Sequence, residues 1–472
     1  MTIADEIIHG LEPNYDRVIQ EGYTLDDMDE YGFTPLIESV ICERLPVAEG
    51  LIRRRVTIDE PDVLKRTALH WAVDQGLPEF AHLLLKNGAN PNTYDSNGLS
   101  ALVYPVLRGQ HELKHLLYQY GAKLDFALDF IHGKLLGHRF ELKGRTEILA
   151  PNNEFIELNY EGFILEFTVA VIKDSLRRFT SSYSTRYLRP QFKYINAILD
   201  GLIVAEELLR YQHVQQLSKE DKKKIVNLIK KTPLLILPAA SRGHAMCFIR
   251  MNEWWVKIDR GENSLREGSA NIYQMMRPEA FNFEFLQEFL YQRHPREYFH
   301  QHINEQLGLK PMYKVALTSQ IAGNCSWANI QGVVALGYAL QQLNRRGSFS
   351  NDDAMVFYNA WTDWDQERAL DDCIQRFYMV ENHRKFTIAS MLGAVLFQAT
   401  DAKNAKHVKR AEKILTILTL PEYYFILESY LTHYCVKRLT PKGNNLLKLL
   451  DDCGVNTGLE LTPIATGLKE RE

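Results

Sequence analysis

The chain has 472 residues, 46% hydrophobic and 24% charged, which is the balance of an ordinary globular protein of two or three domains. Its net charge of -4 leaves no basic footprint for nucleic acid, and no apolar run approaches the roughly 18 residues of a membrane span. Six cysteines with no CxxC pair make neither a disulfide framework nor a zinc site, and Met-Thr-Ile-Ala-Asp-Glu at the start is no signal peptide, so reduced thiols, no metal and no cofactor are expected.

The first quarter repeats at a spacing of 33 residues. Asp29, Asp62 and Asp95 share one frame, as do Thr34, Thr67 and Ser100, then Leu36, Leu69 and Leu102, and finally Arg55, Gly88 and Gly121, with Gly22 one step earlier. Thr or Ser can cap a first helix, Pro35 sits where no amide donor is needed, and the late Gly supplies a left-handed stop. Gly32-Phe-Thr-Pro-Leu36, Arg66-Thr-Ala-Leu-His-Trp-Ala72 and Leu83-Leu-Leu-Lys-Asn-Gly-Ala-Asn90 carry the pattern. This period with a turn and two short helices is that of ankyrin repeats, and four units fit between residues 1 and 126.

Beyond the array, residues 127–180 are predicted to be strand-rich, with Phe155-Ile-Glu-Leu-Asn-Tyr160 and Gly162-Phe-Ile-Leu-Glu-Phe167 as strands. A helix follows from about Gln191 to Gln216, and then a second over the lysine-rich run at 221–231, whose charges read as a solvated face. Three strand-like runs come next: 233–238, 244–250 and 253–259. From about 325 onward the pattern is helical, and 401–472 forms a helical tail of its own.

Two motifs in this second part carry chemistry. A hairpin turning at Met251 and Asn252, in which facing residue numbers sum to 503, sets His244 opposite Asp259, so that the imidazole Nδ1–H can donate to the carboxylate. Cys325 opens an apolar helix after Ser319-Gln-Ile-Ala-Gly-Asn-Cys-Ser-Trp-Ala-Asn-Ile330, where the amino-terminal dipole favours a thiolate. Gln320 can join the Cys325 amide to hold an oxyanion, with Asn324 in support.

The order His244, Asp259, Gln320, Cys325 resembles the clan of cysteine proteases that contains the ubiquitin-like-protein proteases, the adenovirus protease and the Yersinia-type acetyltransferases, or a rearranged papain fold. That resemblance implies Cys325 as nucleophile, His244 as general base and then acid, Asp259 as orienting acid and Gln320 as oxyanion donor. It also leaves open an acyltransferase or transglutaminase on the same residues, and a scaffold that has lost turnover. The array with Gly137-His-Arg-Phe-Glu-Leu142 and Tyr160-Glu-Gly-Phe163 resembles the ankyrin-repeat effectors of Legionella, the ankyrin H family among them.

The second resemblance implies delivery into a host cell by type IV secretion machinery that reads the end Gly467-Leu-Lys-Glu-Arg-Glu472, with the host cytosol or nucleus as destination. It further implies a host protein held by the turn tips and inner helix face of the array, through Tyr31, Phe33, Leu64, Arg66, Asp74, Gln75, Asn97, Leu99 and Arg108. The expected architecture is α+β: an all-α ankyrin solenoid over 1–126, a papain-like or ubiquitin-like-protease-like domain over 127–400, and a helical region over 401–472 with the secretion signal. Neither nucleic acid nor membrane is an expected partner.

Overall fold

The computed structural model describes residues 2–456 apart from 214–216, 242, 262–267, 293 and 321–322. Four helix pairs open it: α1 (Ile3–Ile8) with α2 (Tyr15–Gln20), α3 (Pro35–Ile41) with α4 (Leu45–Arg53), α5 (Ala68–Asp74) with α6 (Pro78–Lys86), and α7 (Val103–Arg108) with α8 (His111–Gln119). Apolar residues such as Ile37, Leu51, Leu69 and Leu84 are buried between the pairs, which gives a continuous core that no single unit provides.

The periodic aspartates build the turns between units. Asp29 Oδ1 accepts the amides of Tyr31 and Phe33, both at 2.9 Å; Asp62 Oδ1 accepts those of Leu64 and Arg66, both at 2.8 Å; and Asp95 Oδ1 accepts those of Asn97 and Leu99 at 2.8 and 3.0 Å. One carboxylate thereby satisfies two turn donors in each unit. Thr34 Oγ1 caps α3 by accepting from the Ile37 amide at 3.2 Å. His70 bridges units: Nδ1 accepts from the Thr67 amide at 3.1 Å, and Nε2 faces the Leu99 carbonyl at 3.2 Å. Burial pushes its pKa down to about 4, so it serves as a neutral strut.

After the array comes α9 (Leu124–Arg139), then a hairpin of β1 (Arg145–Leu149) and β2 (Phe155–Asn159), then α10 (Leu165–Ser181). The stretch 127–180 is therefore mostly helical, contrary to the strand-rich expectation; only Phe155–Asn159 of the two proposed strands forms one. Val169, Ile172, Leu176 and Phe179 recur at helical spacing and are all buried, which draws 165 onward into a helix. The helices α11 (Phe192–Arg210) and α12 (Lys219–Lys231) follow.

The core of the second part is one antiparallel sheet in the order β3 (Leu235–Ser241), β4 (His244–Met251), β5 (Trp254–Ile258), β6 (Ala270–Met275), β7 (Leu309–Val315). One face, with Ile236, Cys247, Ile249, Val256 and Ile272, packs with buried residues of α10, α11 and the helix Cys325–Arg346. The other, with Leu237, Phe248 and Trp255, packs on Phe285, Phe289 and Phe299. In β3, β4 and β5, where both faces are covered, the strands read as near-continuous apolar runs, whereas the edge strand β7 is exposed over residues 310–314.

The chain divides into two compact units, 1–372 and 373–472, a coarser division than the expected boundaries at 126 and 400. Within the first unit, Arg108 of the array pairs with Glu166 of α10 and also with Asp74 at 3.1 Å. The second unit holds helices Asn382–Gln398, Ala405–Leu418, Tyr424–Leu431 and Pro441–Asp452. The expected secretion signal at 467–472 lies outside the described residues. Among the described residues no helix is long and apolar enough to cross a membrane.

Three repeat positions carry the wrong residue for their backbone: Lys65, Arg55 and Glu43, the last (φ 55°) in the place of Gly10, Gly76 and Gly109. Lys65 (φ 61°) occupies the place of Gly32 and Gly98, and Arg55 (φ 60°) that of Gly22, Gly88 and Gly121, all left-handed. Lys65→Gly and Arg55→Gly are each expected to raise stability by about 0.5–1 kcal/mol, since glycine removes the Cβ clash of this region. A urea midpoint that falls in both variants would contradict this account of the turns.

Candidate active site

His244 is the first residue of β4, and Asp259 directly follows β5, so both stand at one end of the sheet. The observed ladder pairs Cys247 with Ile258 and Met251 with Trp254, a facing sum of 505 rather than 503. Extended outward, this register puts Gly261 opposite His244 and makes Asp259 its diagonal neighbour. The slip is two residues, so both side chains keep the face they were expected to share. Nε2, not the expected Nδ1, meets Asp259 Oδ1 at 2.9 Å.

Gly261 makes this possible. A Cβ there would lie 2.9 Å from His244 Cε1 and 3.1 Å from Asp259 Oδ1, while its amide donates to Asp259 Oδ1 at 3.0 Å. The other carboxylate oxygen has Arg296 and His300 nitrogens at 3.6 Å, and Lys257 Nζ lies 3.1 Å from His300 Nδ1. Asp259 therefore lies close to Arg296 as well as to His244.

Cys325 opens its helix directly beside the imidazole. The Ala245 amide donates to Sγ at 3.4 Å. Burial alone would raise the thiol pKa, but the His244 hydrogen bond, the Ala245 amide, the His244 charge and the Ser326 amide together lower it. His244 is the mirror case: burial pulls its pKa down, yet Asp259 and the Cys325 sulfur raise it to about 9. Burial also opposes ionisation of Asp259, and it is outweighed by His244, the Gly261 amide and Arg296, which bring it to about 2. The site is thus a carboxylate and an imidazolium beside a thiol whose ionisation they favour. Cys247, fully buried in the same sheet, goes the other way, its thiol pushed up by burial.

Several residues that hold this row were not singled out from the sequence. Asn329, one helical turn after Cys325 and fully buried, donates Nδ2 to the Ala245 carbonyl at 2.7 Å and accepts the Arg260 amide on Oδ1 at 2.8 Å. Arg260, 1% exposed, donates to the Thr318 carbonyl at 2.6 Å, Thr318 Oγ1 at 2.9 Å and the Ala328 carbonyl at 3.1 Å, with Glu141 Oε1 at 3.4 Å. A polar residue four places after Cys325, on the same face of a largely buried helix, was the available signal.

The remaining expectations divide. The Gln320 backbone amide donates to the Arg260 carbonyl at 2.9 Å; among the described residues its buried Oε1 has no hydrogen-bond partner and no bond joins its side chain to Cys325. Asn324 points away from the sulfur, with Oδ1 2.5 Å from His138 Nδ1. In the array, Tyr31 and Leu64 are 60% and 55% exposed. Phe33 packs edge-on against Trp71, and the Arg66 guanidinium lies 4.0 Å over that indole while pairing with Asp74 at 2.9 Å. Asp74 and Arg108 pair within the chain, Asn97 and Leu99 give their amides to Asp95, and Gln75 ends α5.

Comparison with known proteins adds to this geometry. The ankyrin-repeat family model matches residues 51–127 in three copies. Inversin of Danio rerio is 35% identical over 83 residues, 18% of this chain and 8% of inversin; inversin of Homo sapiens is 38% identical over 65 residues, 14% and 6%. Palmitoyltransferase ZDHHC13 of Pongo abelii is 28% identical over 95 residues, 20% and 15%. The chain spans under a fifth of each of these relatives. Along its whole length it is similar to the solved structure of the Legionella effector AnkH, with 57% identity, a TM-score of 0.81, and coverage of 98% of this chain and 100% of that one.

The ion row fixes the sign of its pH response. His244 is raised from 6.5 to about 9, so its contribution to stability is full below 6.5 and lost as pH rises through about 9; Asp259 is lowered from 3.8 to about 2, so its share is present above 3.8 and lost as pH falls through about 2. The His244 ring signal in NMR is expected to titrate near 9, and Cys325→Ser or Asp259→Asn should move that midpoint down toward 6.5. A wild-type midpoint near 6.5 that neither variant shifts would remove the ion row.

Proposed function

This chain belongs to the family of the Legionella effector AnkH, and on that premise we propose that it is an effector delivered into a host cell, where its array holds a host protein and Cys325 acts on a carbonyl of that protein. Delivery is by type IV secretion machinery, to the host cytosol or nucleus. The second part is read as a papain-like or ubiquitin-like-protease-like thiol hydrolase for a peptide or isopeptide bond. The observation that carries this reading is the His244 ring, held at Nε2 by Asp259 and near enough to Cys325 to lower the pKa of its thiol.

The steps follow from those contacts. The Cys325 thiolate adds to the carbonyl carbon, and the resulting oxyanion is received by the Cys325 amide and the Gln320 side-chain amide. His244 gives its Nδ1 proton to the departing amine as the carbon–nitrogen bond breaks, leaving an acyl-enzyme and a neutral imidazole. That imidazole takes a proton from water as the water attacks the thioester, and the thiolate leaves with the imidazolium restored. Asp259 keeps the ring oriented and stabilises its charge throughout.

In iodoacetamide labelling at near-neutral pH, Cys325 is expected to react faster than the other five thiols, and His244→Ala should slow it by about tenfold or more, because the group that lowers the thiol pKa is lost. Equal rates at all six thiols would leave only the recruiting scaffold. The mass of a co-purified host partner then separates the chemistries: a loss of mass means cleavage, whereas an added acyl group means transfer to an amine or hydroxyl.

A further inference from the structure

Asn324 is the N-cap of the helix that Cys325 begins, since its carbonyl accepts the Ala328 amide at 2.9 Å, yet its side chain makes no capping bond. Asparagine is a strong cap because its side-chain oxygen takes the second or third helical amide. Asn14, Asn282 and Asn404 elsewhere in the chain do this, accepting from the amides of Arg17, Phe285 and Lys406. At Asn324 the oxygen is already taken: Oδ1 meets His138 Nδ1 at 2.5 Å, and Nδ2 lies 3.5 Å from the His138 carbonyl.

The captor is itself fixed. His138 is 1% exposed and stacks on Trp327 with the ring planes 5° apart. Burial, then the charge of Lys134, push its pKa down to about 3, so it is a neutral ring whose Nδ1–H donates. Lys134 Nζ donates to the carbonyls of Glu161 and Gly162 at 2.6 and 3.0 Å, and the Gly162 amide donates to the Gly323 carbonyl at 2.8 Å. The helix that leaves the array therefore grips both residues preceding the sulfur.

A capping Asn324 would take the Ser326 or Trp327 amide, and the Ser326 amide is one of the groups that stabilises the Cys325 thiolate. Resting on the thiol reading above, we propose that His138 is a positioning residue of the Cys325 site: by holding the Asn324 side chain it keeps the first-turn amides uncapped, so that they serve the sulfur and the oxyanion. The helix gives up a cap, and its macrodipole acts on the nucleophile instead.

The test uses the full chain, iodoacetamide labelling of Cys325 followed across pH by peptide mass, and circular dichroism to verify folding. Asn324→Ser supplies a short side chain that caps its own helix and does not reach His138, whereas Asn324→Gly supplies none. Asn324→Ser is expected to slow labelling about tenfold at near-neutral pH and move the pH midpoint up by about one unit, and Asn324→Gly to stay within about twofold of the parent. His138→Ala should behave like Asn324→Ser, and adding Asn324→Gly to it should restore the rate.

Matching rates for Asn324→Ser and Asn324→Gly, or no rescue in a folded double variant, would overturn the role of His138 while leaving the thiol reading intact. If His138→Ala does not fold, the Ser and Gly comparison decides alone. A parent Cys325 no faster than the other thiols would instead end the thiol reading, and this inference with it.

Discussion

The side-chain amide of Asn329 joins three elements that the chain makes far apart. Its nitrogen holds the Ala245 carbonyl beside His244, its oxygen holds the Arg260 amide beside Asp259, and its backbone lies one turn along the helix from Cys325. Two ordinary hydrogen bonds are worth little in net stability, but both lie in a fully buried place where an unmade partner is costly. The sulfur, the imidazole and the carboxylate can therefore shift only together. Arg260 extends the same logic, fastening the end of the acid strand to the Thr318 segment and to the helix.

Charge then follows geometry. Burial by itself would favour the neutral form of all three groups of the row, and in each the neighbours are close enough to outweigh desolvation and shift the balance toward the charged form. Gly261 sets that closeness, since any side chain would enter the space the ring occupies. Among the six cysteines, Cys247 shows what the same sheet does to a thiol with no such neighbour.

The array is built into the same unit rather than hung from it. Arg108 reaches across to Glu166, α9 touches Asn324 beside the nucleophile through His138, and Glu141, just after α9, faces Arg260 beside Asp259. Charges at Asp74 and Arg108 that sequence mapping gave to a partner are used in this internal contact, while Tyr31 and Leu64 remain in solvent. A protein held at those tips would meet a surface whose position relative to Cys325 is set by buried side chains.

The ankyrin period was legible from the chain alone because each unit repeats local chemistry: an aspartate for two turn amides, a cap, an apolar stripe, a left-handed stop. The types and order of Cys325, His244 and Asp259 were legible for the same reason, as a helix start and two strand ends. Register was not, because facing sums of 503 and 505 keep the same residues on the same face and differ only in which of them are diagonal. The helices of 127–180 were missed because strand and helix signals compete in short apolar segments, and burial against the rest of the fold decided between them. The withdrawn cap at Asn324 and the clamp at Asn329 belong to tertiary structure alone: each rests on hydrogen bonds between residues roughly 70 to 190 positions apart, and no local pattern encodes such a distance.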